Sequence, residues 1–290
     1  MKKVIPLIFS LALGLITSAG SADYKPNLGP DLSTITLKSG DLTVLMRQAT
    51  QWTPGRIDFR GNAMTTERSA YGTVFMYPEI GFIGTGHFEN EPEELQSLTF
   101  LRDGKAIEAP SSVESGKTIA VIRESKIRTF RFTNRIELRD NQLFETVTVK
   151  TEKETPLKLV YHFMHAWTPT VSAYLAGSDG EAPDGGPLID DVERGFHINK
   201  PVDWAAVFEP VSRQFAISRV LEVPAGVKTT SKIWNVPGTY RKYYLESFNN
   251  AAVPAGFEGT WRMVTAFGES EKDQWEAKAE AVAAKLRPTE

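Results

Sequence analysis

The chain has 290 residues, no cysteine, 24% charged residues and a formal net charge of −3. Without cysteine it can form neither a disulfide nor a thiolate metal site, and its acidic balance argues against nucleic acid or an anionic membrane as the main partner. A chain this long, 41% hydrophobic, can bury a large core without covalent staples.

Lys2 and Lys3 precede an apolar run from Val4 to Ile16, followed by the small residues Thr17-Ser-Ala-Gly-Ser-Ala22. This pattern predicts a secretory signal peptide over residues 1–22, cleaved after Ala22. The run is shorter than the roughly 20 apolar residues a bilayer requires. With no cysteine at the cleavage region, no lipid anchor on a new N-terminal Cys is expected. The mature chain is therefore expected to be secreted or periplasmic, without membrane insertion, and to form a single β-domain over residues 23–290. Loss of the two lysines makes it more acidic.

After a Pro- and Gly-containing lead-in at Asp23–Ser33, strand signals dominate. The segments 42–46, 73–77, 97–101 and 118–123 are short, rich in β-branched and aromatic residues, and bounded by Gly, Pro or charge. Residues 128–133 alternate, placing Phe130 and Phe132 on one face, and 143–150 alternate with Val147 and Val149 together. Arg139-Asp-Asn-Gln142 between them reads as a hairpin turn. Pro156–His162 is another strand, and later candidates cover 204–208, 214–220, 229–234 and 259–267. Such spacing predicts packed antiparallel sheets. Residues 269–286 carry Trp275, Ala279, Val282, Ala283 and Leu286 at helical spacing, then Pro288, and predict one C-terminal helix. Residues 177–187 form a long polar loop followed by Ile189-Asp-Asp191. Its acids could ligate calcium through oxygen, although their spacing fits no EF-hand.

The chain lacks the nucleophile elbow, the phosphate-binding glycine loop and the His-Glu-x-x-His zinc motif, so chemistry falls to its four histidines. His162 and His165 are three apart on a strand, a spacing that sends them to opposite faces unless a bulge intervenes. His87 follows Gly84-Thr-Gly86 and can project from a loop, whereas His197 reads as an ordinary strand residue. A zinc site built from these has no support in the spacing, and no metal or organic cofactor is expected. Tyr244-Leu-Glu246-Ser-Phe places a carboxylate in a later strand, after the interleaved basic and aromatic run Tyr240-Arg-Lys-Tyr-Tyr244.

Pro156-Leu-Lys-Leu-Val-Tyr-His162 resembles the aldose 1-epimerase (galactose mutarotase) segment in which a proline-started strand runs to a catalytic histidine. Tyr244-Leu-Glu246-Ser-Phe, with Pro254 and the strand Trp261–Phe267 downstream, is similar to that family's C-terminal catalytic glutamate, loop and last strand. Gly84-Thr-Gly86-His87 matches the position of its first histidine. The family's Tyr-Phe-Asn after the histidine is replaced here by Phe-Met-His165, and its Asn-Arg-Ile stretch upstream of the first histidine is not evident. The resemblance implies a mostly β fold, a large antiparallel β-sandwich of the supersandwich kind with one C-terminal helix. It also implies Glu246 as general base and His162 as general acid toward a sugar, with His87 assisting. His165, Trp167, Arg123, Tyr161 and Tyr244 are then candidates for substrate contact, Trp167 by stacking on a pyranose. The expected partner is a sugar or polysaccharide. The same fold also serves polysaccharide lyases, glycoside hydrolases and proteins that only bind glycans or act structurally.

Overall fold

The computed structural model describes residues 28–67, 71–87, 89–191 and 195–286; the expected signal peptide lies outside them. The five-stranded sheet runs in the order β4 (Asn62–Ala63), β3 (Thr53–Phe59), β2 (Leu42–Arg47), β1 (Thr34–Ser39), β9 (Val113–Ser115). The six-stranded sheet runs β17 (Phe196–Lys200), β20 (Thr229–Val236), β21 (Tyr240–Ser247), β14 (Leu159–Trp167), β5 (Tyr71–Tyr77), β6 (Gly81–Gly84). The ten-stranded sheet starts with β16 (Asp184–Pro187), β15 (Ala173–Gly177), β18 (Trp204–Glu209), β19 (Gln214–Glu222) and β23 (Glu258–Glu269). It continues with β12 (Gln142–Thr151), β11 (Phe130–Arg139), β10 (Thr118–Ile127), β7 (Glu94–Arg102) and β8 (Lys105–Ala106). A short ribbon, β13 (Thr155–Leu157) with β22 (Ala251–Val253), links strands of the six-stranded sheet to their neighbours. The pairings are antiparallel except β1 with β9.

One face of the ten-stranded sheet carries both of the other sheets. Along β11 the inward residues Phe130, Phe132, Asn134, Ile136 and Leu138 alternate with outward ones. The two phenylalanines pack toward the six-stranded sheet, where Phe75 stacks on Phe130 at 4.3 Å, while Ile136 and Leu138 pack with the five-stranded sheet. Asn134 falls at the joint. Strand β10 repeats this, with Ile119 and Val121 on one side, Ile127 on the other, and Arg123 and Ser125 between. In β12 the joint residue is Glu145. A buried polar seam thus crosses the core where two apolar clusters meet. Such groups are costly to bury unless bonded, and most of the charged ones are paired. The Arg123 guanidinium donates 3.0 Å to Glu93 Oε1 and 2.8 Å to the Gln51 carbonyl, and Glu145 meets His165 at 2.9 Å.

The hairpin expected at 139–142 is present. Asp140 and Asn141 both hold positive φ, 51° and 58°, the backbone of a tight two-residue turn that matches strand twist. The long polar loop is partly ordered as strand, since β16 pairs with β15. Two nearby acids are held by arginines, Asp179 by Arg219 at 2.6 Å and Asp190 by Arg241. The expected helix is shorter than 269–286. It covers Trp275–Lys285, because β23 continues to Glu269 and the Ser270 N–H is taken by the Arg213 carbonyl. Its Trp275 stacks on Phe208 at 5.4 Å, so the helix covers the opposite face of the ten-stranded sheet.

Candidate functional site

The six-stranded sheet turns one face toward the ten-stranded sheet and the other away from it. Strand alternation decides which side chains reach each face. In β21, Tyr243 and Leu245 point into the core, while Lys242, Tyr244 and Glu246 occupy the outer face. Tyr161 lies directly across from Glu246, and Val74 of β5 from Tyr161, so both share that face. Lys232 and Trp234 join from β20, paired across from Tyr244 and Lys242. Phe196 of β17 closes the edge, 4.6 Å from Lys232 Nζ.

His87 arrives from the loop after β6. Gly84 allows this hairpin: a Cβ there would stand 2.6 Å from Val74 Cγ2 and 2.7 Å from the Thr73 carbonyl oxygen. Gly86 then takes φ +78°. The turn brings His87 Nε2 to 2.7 Å from the Tyr161 hydroxyl, while Nδ1 lies 2.5 Å from Glu89 Oε1. Burial lowers the His87 pKa, partly offset by the Glu89 hydrogen bond, and the Lys242 charge lowers it further. Glu89, His87 and Tyr161 thus form a carboxylate–imidazole–phenol chain. Phe82 packs beside it, 5.9 Å from His87 and 6.1 Å from Tyr161. Glu246 accepts a 2.6 Å hydrogen bond from Asn249 and lies 3.5 Å from Lys232 Nζ. Tyr161, Tyr244 and Glu246 are buried, whereas Lys242, Trp234, His87 and Phe82 keep partial exposure and form the accessible part of the face.

His87, Tyr161, Tyr244 and Glu246 are therefore brought together; His162, His165, Trp167 and Arg123 are not. The expectation that His162 faces Glu246 across a cleft is corrected by the pairing register. His162 is paired with Leu245, and Glu246 with Tyr161, so the two lie on opposite faces. His162 is fully buried, bonded to Thr73 Oγ1 at 3.0 Å, with its ring 4.2 Å from that of Trp261. Burial depresses its pKa to about 3, which keeps it neutral. A group so placed cannot reach a ligand on the outer face.

His165 shares the interior with His162, despite their odd spacing, because β14 is bulged. Phe163 and Met164 together oppose Tyr244, and Phe163 takes φ 55°. This left-handed backbone costs about 1–3 kcal/mol at a bulky residue; burial of the Phe163 ring in the core offsets it. His165 is held between Glu145 at 2.9 Å and Ser218 Oγ at 3.3 Å, and Ser218 bonds Thr265. The order hydroxyl, imidazole, carboxylate is that of a nucleophilic triad, but all three are buried in the seam. Trp167 packs edge-on to His165 at 4.9 Å in the same core. Arg123 is committed to Glu93. Sequence reasoning marked Lys242 only as one member of the run 240–244, and it missed Trp234 and Lys232. Their signal was present in the alternation of 229–234 and in the interleaved run 240–244, once the outward parity of each strand is known.

No protein-family model matches the sequence, and no curated protein matches it either. Many solved structures do match in shape. The Slr1438 protein from Synechocystis sp. PCC 6803 superposes with a TM-score of 0.52 at 11% identity, covering 85% of this chain and 100% of that one. The α-N-acetylgalactosaminidase NagBb from Bifidobacterium bifidum gives 0.53 at 8% identity, over 87% of this chain but 38% of its own. A galactose mutarotase-like protein from Lactobacillus casei ATCC 334 gives 0.49 at 11% identity, over 81% and 100%. The fold is a large antiparallel β-sandwich with one α-helix among the described residues, an architecture shared with the Slr1438 protein. At these identities the likeness is one of architecture.

Proposed function

We propose that this chain is an exported protein that takes a carbohydrate on the outer face of its six-stranded sheet, with Tyr161, backed by His87, and Glu246 exchanging protons with it. The observation that carries this reading is the Glu89–His87–Tyr161 chain lying on the same face as Glu246, Tyr244 and Trp234. Aromatic rings suit the apolar face of a pyranose, and an imidazole-backed phenol beside a carboxylate suits proton transfer to and from its oxygens. Structures of similar shape include an enzyme named for N-acetylgalactosamine, which agrees with a sugar ligand. The reaction this pairing serves most directly is epimerisation of an aldose. Glu246 takes the proton of the anomeric hydroxyl and Tyr161 protonates the ring oxygen, so the ring opens and recloses from either side. The N-terminal segment, with its lysines, apolar run and small residues, supplies the export signal.

Binding without turnover is favoured by one observation: Tyr161 and Glu246 are nearly closed to solvent, and Glu246 is engaged by both Asn249 and Lys232. The two readings separate in one experiment. Anomer exchange in a panel of aldoses is followed by NMR for the wild type, Tyr161→Phe and Glu246→Gln, and binding of the same sugars by calorimetry. Acid–base catalysis predicts a loss of about 100-fold or more in exchange rate for each variant, with sugar still bound. Binding with no catalysed exchange leaves the binding module. No binding of any sugar removes the reading altogether.

A further inference from the structure

Lys242 stands on the accessible part of the same face, paired with Ala166 of β14 on one side and Trp234 of β20 on the other. Its Nζ lies 4.7 Å from the ring centre of Tyr161, 4.8 Å from that of Tyr244 and 5.4 Å from that of Trp234. Three ring faces stabilise an ammonium but leave its charge uncompensated. Among the described residues no carboxylate pairs with it, and the charged neighbours are otherwise engaged. On β21 itself, Glu246 is bonded by Asn249 and lies beside Lys232 of β20. On the loop after β6, Glu89 sits against His87 Nδ1, the imidazole nitrogen opposite the one that meets Tyr161. The Tyr244 phenol, its pKa raised by burial, remains neutral, and β14 contributes Tyr161, Met164 and Ala166. A half-buried cation facing aromatic rings, with no anion beside it among the described residues, is a costly arrangement, of the kind found where a ligand supplies the missing charge.

We infer that the sugar bound on this face is an acidic one, its carboxylate or phosphate held by the Lys242 ammonium. This rests on the carbohydrate reading above and narrows it to a class of substrate. Burial lowers the Lys242 pKa to about 8. The residue is thus mostly charged at neutral pH and mostly neutral one unit above its pKa. An anionic ligand would hold the proton on more firmly, so its binding weakens as pH rises past 8.

The test is calorimetric titration of the purified protein with glucose, glucuronate and glucose 6-phosphate at pH 7 and pH 9. At pH 7 an acidic sugar is expected to bind at least about tenfold tighter than glucose, the worth of one charge-assisted hydrogen bond. Which of the two is preferred identifies the anion as carboxylate or phosphate. The preference shrinks at pH 9 and falls toward unity in Lys242→Met. Lys242→Arg, which stays charged, retains it at both pH values; this comparison stands even if the methionine variant does not fold. Glucose bound as tightly as either acid, or a preference that survives at pH 9 in Lys242→Met, overturns the assignment to Lys242 and leaves the carbohydrate reading intact. Failure of all three sugars to bind overturns both.

Discussion

His162 offers a quantitative test of the claim that the first histidine of β14 belongs to the core and not to the site. Its pKa falls from 6.5 to about 3 because the imidazole is fully buried against Trp261 and Thr73, with no acid among the described residues to compensate a charge. In the unfolded chain it takes a proton near pH 6.5, while in the folded protein it does not until about pH 3. Between those values the unfolded state binds more protons, so stability is complete above pH 6.5 and declines as pH falls. At pH 5 the unfolded histidine is 1.5 units below its pKa, which costs the fold about 2 kcal/mol relative to neutral pH. The variant His162→Gln removes the titration and keeps a hydrogen-bonding group near Thr73. Urea unfolding of both proteins at pH 7, 6 and 5 isolates this group, since the other titrations are common to the two and cancel. The wild type should exceed the variant at pH 7 and lose about 2 kcal/mol of that advantage by pH 5. A constant difference across the range, or an imidazole whose NMR shift titrates near pH 6.5 in the folded protein, would refute the burial argument and return His162 to consideration as an acid.

Two further outcomes test the frame that holds the face. Glu93→Ala strips the partner from Arg123, whose side chain is 1% exposed, and should cost about 3–5 kcal/mol by urea unfolding; a loss below about 1 kcal/mol would mean the guanidinium finds water or another acceptor. Gly84→Ala sets a Cβ 2.7 Å from the Thr73 carbonyl oxygen and 2.6 Å from Val74 Cγ2, so it should cost about 1–3 kcal/mol and weaken sugar binding through His87. Unchanged stability in that variant would show that the β5–β6 hairpin can yield.

Much of the architecture was legible because alternation and turn residues are local. Phe130 with Phe132, Val147 with Val149, and the Asp140-Asn141 turn specify two long strands and their hairpin before any partner is known. The site was legible in part. His87 was marked by the glycines that deliver it, and Glu246, Tyr161 and Tyr244 by the strands that carry them. The failure concerned direction. Strand periodicity says that Tyr161 and His162 point to opposite faces, but nothing local says which face is covered. Nor does the sequence around Phe163 announce the bulge that returns His165 to the side of His162. The long loop was misjudged for a similar reason, since β16, an Asp-Gly-Gly-Pro segment, owes its pairing to β15 and not to its own propensity.

By itself the sequence determined a β-rich chain with a helix near its C-terminal end and a small set of residues able to do chemistry, because composition, period and turn chemistry are properties of neighbours along the chain. Tertiary structure decided the rest. It laid two sheets on one face of a third and placed Arg123, Asn134 and Glu145 at their joint. It also closed His162 into the core and left Lys242 among three rings on the outer face. Those outcomes depend on register and on which face of each sheet another sheet covers, relations between residues some eighty positions apart that no local pattern encodes.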